Sequence, residues 1–395
     1  MIDTETSQLP AQHQLQRPWV LWMLFFFQFA AIGAYFSYLN IYYSAAGLSG
    51  TEIGLLNMAA SVAGVVGAMA WGYLSDRTGK PRLMIAAGAV GALVINQFIP
   101  LASAFWVFLG LSMGGTLMGA APSTLVDSTT MALLGERRNE YGRFRLGGSI
   151  GYILVAPVMG MVFDRLGLQI MFPVYGVIMA AFAGMALLLP DMPALPAAKK
   201  GGEVGAMMRR PEWLLLIACV FLVWIATNAS ITFTGVVLNS MGATQTLVGI
   251  AVTIGAVVEL PFMIFSPQLL RRWGPDRLLA VAFSLMVVRY FLLAWMPAPE
   301  WAVPINALNG PAFVLFWNSA VNLTNKLAPP GMAGTAQGLL SSTMNLSSVV
   351  SALLTGWLFD TLGPNGMFLV MAFIVSGATV LFIAGNLRTL RKEEN

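Results

Sequence analysis

Residues 160–167 read Gly160-Met161-Val162-Phe163-Asp164-Arg165-Leu166-Gly167, and 196 positions later the chain reads Gly356-Trp357-Leu358-Phe359-Asp360-Thr361-Leu362-Gly363. The same offset sets Tyr141-Gly142 opposite Gln337-Gly338, and an offset of 195 sets Arg77-Thr78-Gly79 opposite Arg272-Trp273-Gly274. Matches at nearly one spacing read as an internal repeat rather than as chance among glycine-rich helix ends. Between the copies lies Pro190 to Glu212, the longest polar interruption, with its Lys199-Lys200 pair.

The repeated unit is apolar. Of 395 residues, 57% are hydrophobic and 10% charged, and the mean hydropathy is +0.75. Soluble domains hold about 45–50% apolar and about 25% charged residues. Charge this scarce cannot cover a water-soluble particle, which excludes a cytosolic enzyme, a disordered chain and a nucleic-acid binder. Cys219 is the only cysteine, so no disulfide framework exists within the chain. Long apolar runs also exclude a membrane β-barrel, whose strands alternate over short segments. Crossing about 30 Å of hydrocarbon takes about 20 helical residues. Twelve such runs stand near 18–43, 51–74, 83–102, 104–128, 143–163, 169–190, 213–238, 246–270, 277–297, 299–325, 334–358 and 366–387.

The expected fold is an all-α membrane protein, twelve transmembrane helices in two pseudo-symmetric six-helix bundles, 18–190 and 213–387. A cytoplasmic linker, 191–212, joins them, and cytoplasmic tails, 1–17 and 388–395, flank them. The first run is too long for a cleaved signal, and its leader holds Asp3, Glu5 and a single basic residue, Arg17, so it is expected to stay in the mature protein. With twelve spans, all but three of the 21 Lys and Arg residues fall on one side; Arg165 alone opposes them, while Arg145 and Arg289 lie inside runs. The positive-inside rule then puts both termini in the cytoplasm, in the cytoplasmic (inner or plasma) membrane. Paired halves of this kind imply transport, with the site near the bilayer midplane between them.

After the second run comes Gly72-Tyr73-Leu74-Ser75-Asp76-Arg77-Thr78-Gly79-Lys80-Pro81-Arg82. Gly72 would let helices approach, Asp76 would pair with a cation or face a helix N-terminus, and Gly79 would permit a tight turn. Lys80 and Arg82 would hold the loop in the cytoplasm. In this position the segment resembles the loop motif of the major facilitator superfamily, which implies a conformational role for Gly72, Asp76, Arg77, Gly79 and Lys80. The second copy, Pro267 to Arg277, keeps Gly274 and Arg277 but has Arg271 where Asp76 would fall.

Asp127, Arg145, Glu259 and Arg289 are the charges well inside the runs, one acid and one base per half. Each costs about 2.5–3.5 kcal/mol at a helix centre, so each points to function. Asp127 ends the fourth run and Arg145 opens the fifth. They are expected to face one another and offer a hydrogen-bonding fork to a polar substrate. The competing reading is that Asp127 caps its helix and Arg145 snorkels. Tyr152 lies two turns beyond Arg145 on the same face, where it could stack on a ring. Glu259, just before Pro261, and Arg289 are expected to pair in the second half. A carboxylate whose proton affinity an arginine tunes suits proton coupling; the competing reading is a static pair.

Residues 25–36 (Phe25 to Phe36) and 141–152 (Tyr141 to Tyr152) resemble helix one and the start of helix five in the lactose permease branch of that superfamily. The second segment is also similar to its phenylpropionate permease and nucleoside symporter branches, and the likeness covers nearly the whole chain. By that resemblance Asp127 and Arg145 match the sugar-binding acid and arginine, Tyr152 the stacking ring, and Glu259 with Arg289 the coupling region. Tyr35, Gln28, Asn228 and Asn309 join the substrate-binding candidates. The competing reading of Gln28, Asn228, Asn306, Asn309 and Asn318 is helix–helix hydrogen bonding. The chain departs from the branch with Asp for Glu at 127, Tyr for Trp at 152, and Leu308-Asn309-Gly310-Pro311-Ala312 where the branch has His then Glu. The only histidine, His13, lies in the tail. Galactoside recognition is therefore not implied, and coupling would rest on Glu259 and Asp127.

The expected activity is secondary active transport: proton-coupled symport of a small polar or ring-bearing solute (sugar, nucleoside or aromatic acid) by alternating access. A proton-driven drug or metabolite exporter and an uncoupled facilitator remain alternatives. An intramembrane enzyme would need nucleophiles or metal ligands that the spans lack, and a sensor would carry an added soluble domain. Neither a cofactor nor a metal is expected. The partners are the substrate, protons and the bilayer, not nucleic acid, and the protein is expected to be a monomer.

Overall fold

The structure, a computed structural model, describes residues 18–190, 207, 209–329 and 332–393, apart from the side chains of 136, 138, 139 and 386–393. The expected N-terminal tail with His13 and Arg17, and most of the linker, lie outside the described residues. The rest is helical. In order come α1 (Pro18–Ala45), α2 (Gly50–Thr78), α3 (Pro81–Leu101), α4 (Phe105–Leu134), α5 (Tyr141–Leu166) and α6 (Leu168–Leu187). Then come α7 (Pro211–Ser240), α8 (245–273), α9 (275–294), α10 (302–327), α11 (333–362) and α12 (364–393). Among the described residues these make the expected twelve helices of an integral membrane protein.

Several boundaries differ from expectation. α4 runs on to Leu134, so Asp127 lies about two turns inside it rather than at its end. α7 begins at Pro211, inside the expected linker, because Pro suits the first helical position. The last helix continues to Glu393, past the expected start of a tail at 388.

Glycines set the turns, and the turns repeat. Gly47 and Gly242 take φ of 91° and 84°, Gly79 and Gly274 take 64° and 74°, and Gly167 and Gly363 take 82° and 71°. A side chain at any of these would be strained. Each pair is 195 or 196 residues apart, so the backbone carries the repeat seen in sequence. Helix starts repeat too: Ser49 Oγ accepts from the Glu52 N–H, and Thr244 Oγ1 from the Leu247 N–H, both at 3.2 Å. Ser49 and Glu52 complete a capping box.

Small residues bring the helices together. A Cβ at Gly147, Gly148 or Gly151 of α5 would strike Trp22, Phe29 or the Phe26 backbone of α1. One at Gly310 of α10 would strike the α8 backbone at Gly255 and Glu259. Polar anchors add to this packing. Trp71 Nε1 donates to the Leu117 carbonyl at 2.9 Å, tying α2 to α4, and Gln97 Nε2 to the Phe172 carbonyl at 2.7 Å, tying α3 to α6. In the later helices Ser351 Oγ donates to the Ile225 carbonyl at 2.7 Å and Asn318 Nδ2 to Ser266 Oγ at 2.8 Å.

Within each set of six helices short connections reverse the chain at each step, so the molecule has two ends. Pro18, Thr78, Leu134 and Tyr141 mark one, called the terminal end here; Ala45, Gly50, Leu166 and Ser240 mark the far end. Between α4 and α5, at the terminal end, Arg137 donates to Glu140 at 2.8 and 2.9 Å, which holds that exposed carboxyl below its ordinary range.

Candidate functional site

The first six helices meet the last six at the far end. Asp164, at the end of α5, caps α8: its Oδ1 accepts from the Gln245 N–H at 2.6 Å, and its Oδ2 from the Thr246 N–H at 3.0 Å and Thr246 Oγ1 at 2.5 Å. Asp360, at the end of α11, caps α2 in the same way. Its Oδ1 accepts from the Gly50 N–H at 2.7 Å, and its Oδ2 from the Thr51 N–H at 2.7 Å and Thr51 Oγ1 at 2.5 Å. Each carboxylate satisfies orphan N–H groups at the positive end of a helix dipole. Tyr38 Oη donates to the Gln245 carbonyl at 3.3 Å, and Asn40 Nδ2 to the Thr232 carbonyl at 2.9 Å. Glycines close the seam: a Cβ at Gly356 would strike Gly50, and one at Gly160 would strike Gln245. Among the described residues, every hydrogen bond found between the two sets of helices lies at this end.

Below the seam is a cavity of about 550 Å³. The polar residues in its mostly apolar wall are Gln28 from α1, Ser61 from α2, Thr116 and Ser123 from α4, Tyr175 from α6, Asn228 from α7, and Asn345 and Ser348 from α11. Ile32 and Phe36, also in the wall, bound a π-helical turn of α1. Such turns recur at functional sites, because the extra residue re-aims the side chains around it. The lining contains no Asp, Glu, Lys or Arg.

Of the sequence candidates, Gln28 and Asn228 line this cavity. Tyr35 stands behind it: buried, its ring centroid is 4.4 Å from that of Tyr175. Tyr152 is not in the wall; it packs toward Ser37 and Tyr38 of α1. Asn309 sits at the α8–α10 contact opposite Gly255.

The charged residues pair differently from the expectation. Asp127 is exposed, and its Oδ1 accepts from Tyr141 Oη at 2.8 Å. Tyr141 also feels the Arg145 charge, so it stands between the acid and the arginine that were expected to face one another. The cause is the length of α4, which carries the chain past Asp127 before it turns. Arg145 instead lies over Phe29, 4.0 Å from the ring centroid, in space that Gly148 leaves open. Its charge reaches Glu259 of α8 in the other half of the chain, although no ion pair between the two is found among the described residues. Arg289, expected beside Glu259, is buried and donates to Ser230 Oγ and Asn306 Oδ1, both at 2.7 Å. Side chains of α7 and α10 hold it before it can reach α8.

In the loop, Gly79 makes the left-handed turn and Lys80 stands at the N-cap of α3. Asp76 and Arg77 are exposed. Around Gly72 the space is open, so it mediates no close approach here. Sequence reading missed Asp164, Asp360, Thr51, Thr246, Phe29 and Asn345. The signal for the two aspartates was present, as the acid shared by both copies of the repeated octapeptide.

The family model described as "MFS_1 like family" matches residues 18–383. Relatives include a maltose permease of Geobacillus stearothermophilus, 29% identical, with 94% of this chain and 96% of that one covered. A probable 3-phenylpropionic acid transporter of Escherichia coli is 23% identical, covering 90% and 95%. Among solved structures, the nucleoside transporter NupG superposes with a TM-score of 0.80 at 16% identity, covering 93% of this chain and 97% of that one. A bacterial homologue of the human lysosomal transporter Spinster gives 0.72 at 14%, covering 93% and 96%.

Proposed function

The chain belongs to the MFS_1 like family, and on that premise we propose that it is a secondary active transporter for a small solute, working by alternating access and coupled to protons. The observation that carries this reading is the pair of swapped aspartate caps, which close the far end above a cavity lined from both halves, while the other end has no matching lock among the described residues. The Lys and Arg distribution supports the terminal end as cytoplasmic, which makes this the inward-facing state of a protein of the cytoplasmic membrane. The two bundles, 18–190 and 213–387, rock about the cavity. Asp76, exposed here, becomes the partner of a helix end when the terminal end closes, as the far-end aspartates are now.

Coupling rests on Arg145 and Glu259. They sit on α5 and α8, helices that must separate at one end and approach at the other. With Glu259 ionised, Arg145 draws the two helices together. With Glu259 protonated the attraction is gone, and the guanidinium stays on Phe29. A proton moving down 100 mV yields about 2.3 kcal/mol, or about 50-fold accumulation. Proteoliposome uptake of labelled solutes, with and without an imposed pH gradient, tests the function. Gradient-dependent accumulation is expected; uptake that ignores the gradient would make the protein a facilitator.

A further inference from the structure

The cavity wall is mostly apolar, the polar groups set into it carry no charge, and its amides are not used up by the protein. Gln28 Oε1 is buried without a hydrogen-bond partner among the described residues. Asn228, in the cavity wall, gives its Nδ2 to the Trp224 carbonyl at 3.0 Å, and no hydrogen bond to its Oδ1 is found among the described residues. No hydrogen bond to the Asn345 side chain is found among the described residues. These amides come from α1, α7 and α11, so both halves of the chain contribute. The hydroxyls of Ser61, Ser123 and Ser348 donate back to their own helices, to the carbonyls of Asn57, Ala120 and Met344 at 2.8, 3.0 and 3.0 Å. Their oxygens remain free to accept.

This chemistry selects a ligand class. A carboxylate or a cation entering here would leave water and meet no opposite charge, a poor exchange in a buried site. A carboxamide both donates and accepts, so a ligand hydroxyl satisfies it in either sense. A buried acceptor left unmatched is costly, so the site also discriminates against solutes that lack donors. Tyr175 and Phe36 add ring faces to the wall. The volume of about 550 Å³ lies in the ordinary range for small-molecule sites, about 300–1,000 Å³.

We propose that the transported solute is an uncharged polyhydroxylated molecule, a sugar or a nucleoside, held by the carboxamides of Gln28, Asn228 and Asn345. This rests on the transport reading and narrows it, since that reading alone admits aromatic acids and drugs as well.

The test is counterflow into proteoliposomes with four labelled probe sets: sugars (glucose, maltose), nucleosides (uridine, adenosine), 3-phenylpropionate and tetraphenylphosphonium. Exchange of a sugar or a nucleoside is expected, and which of the two exchanges distinguishes the sources. For that solute, Gln28→Leu and Asn345→Leu should each weaken apparent affinity at least tenfold with an unchanged melting temperature. Exchange of 3-phenylpropionate or tetraphenylphosphonium alone overturns this substrate class and leaves transport standing. Unchanged affinity in both variants overturns the assignment of residues. No exchange of any probe overturns the transport reading and this one with it.

Discussion

Asp164 and Asp360 hold the same place in the two copies of the repeat, and each caps a helix from the other copy, with Gln245 at 2.6 Å and Gly50 at 2.7 Å. The bonds correspond atom for atom, down to the threonine hydroxyl that follows. Both clusters include partners that stay exposed. A carboxylate released there would find water at once, so the lock can open at modest cost. A lock buried as deeply as Arg289 could not.

Removing the charge should loosen the lock. Hydrogen bonds to charged groups contribute about 1.5–3 kcal/mol, so Asp164→Asn or Asp360→Asn should each shift the closed-to-open ratio at the far end about tenfold or more. Spin labels at Leu166 and Leu362, both exposed, should report a longer distance population that grows further in the double variant.

Glu259→Gln should spare solute exchange but abolish accumulation driven by a pH gradient. The neutral amide holds the site in one protonation state, so the exchange half-cycle survives while the coupled cycle fails. Counterflow and gradient-driven uptake, measured on the same proteoliposomes, separate the two effects.

Arg289 should behave as a structural residue. Arg289→Ala strands Asn306 Oδ1 in a buried site and leaves Ser230 with Thr234 alone, at a cost of about 1–3 kcal/mol. A lowered melting temperature in detergent is expected, with the accumulation ratio of the folded protein unchanged. Loss of gradient dependence at normal stability would return Arg289 to the coupling role that its helix position suggested.

Gly356→Val should prevent the far end from closing. Its Cβ would meet the Gly50 backbone, and overpacking of this kind costs about 1–3 kcal/mol. Transport should fall sharply while the solute still binds from the far side, which a binding assay in detergent combined with uptake in vesicles would reveal.

The twelve helices were legible because apolar length and Lys/Arg sidedness are one-dimensional signals. Gly79 was legible as a turn because few other residues tolerate its backbone. Which charge meets which was not. Asp127 and Arg145 looked adjacent because the end of α4 was set at the last strongly apolar stretch, whereas the helix runs on through Ser128, Thr129 and Thr130 to Leu134. Arg289 looked like a partner of Glu259 because both sit mid-span, but rotation about a helix axis is fixed by packing, and it turns Arg289 toward α7 and α10. Gln28 and Asn228 were visible as polar residues in apolar runs. Asn345 sits in a stretch rich in Ser and Thr and did not stand out.

The most direct test of alternation is the reactivity of a cavity-wall cysteine, Ser61→Cys in a Cys219→Ala background, toward a membrane-impermeant thiol reagent in vesicles of known orientation. Reaction from the cytoplasmic side alone is expected, with reaction from the opposite side appearing once Asp164→Asn and Asp360→Asn are added. Equal labelling from both sides before the locks are altered, or no new labelling after, would contradict the account.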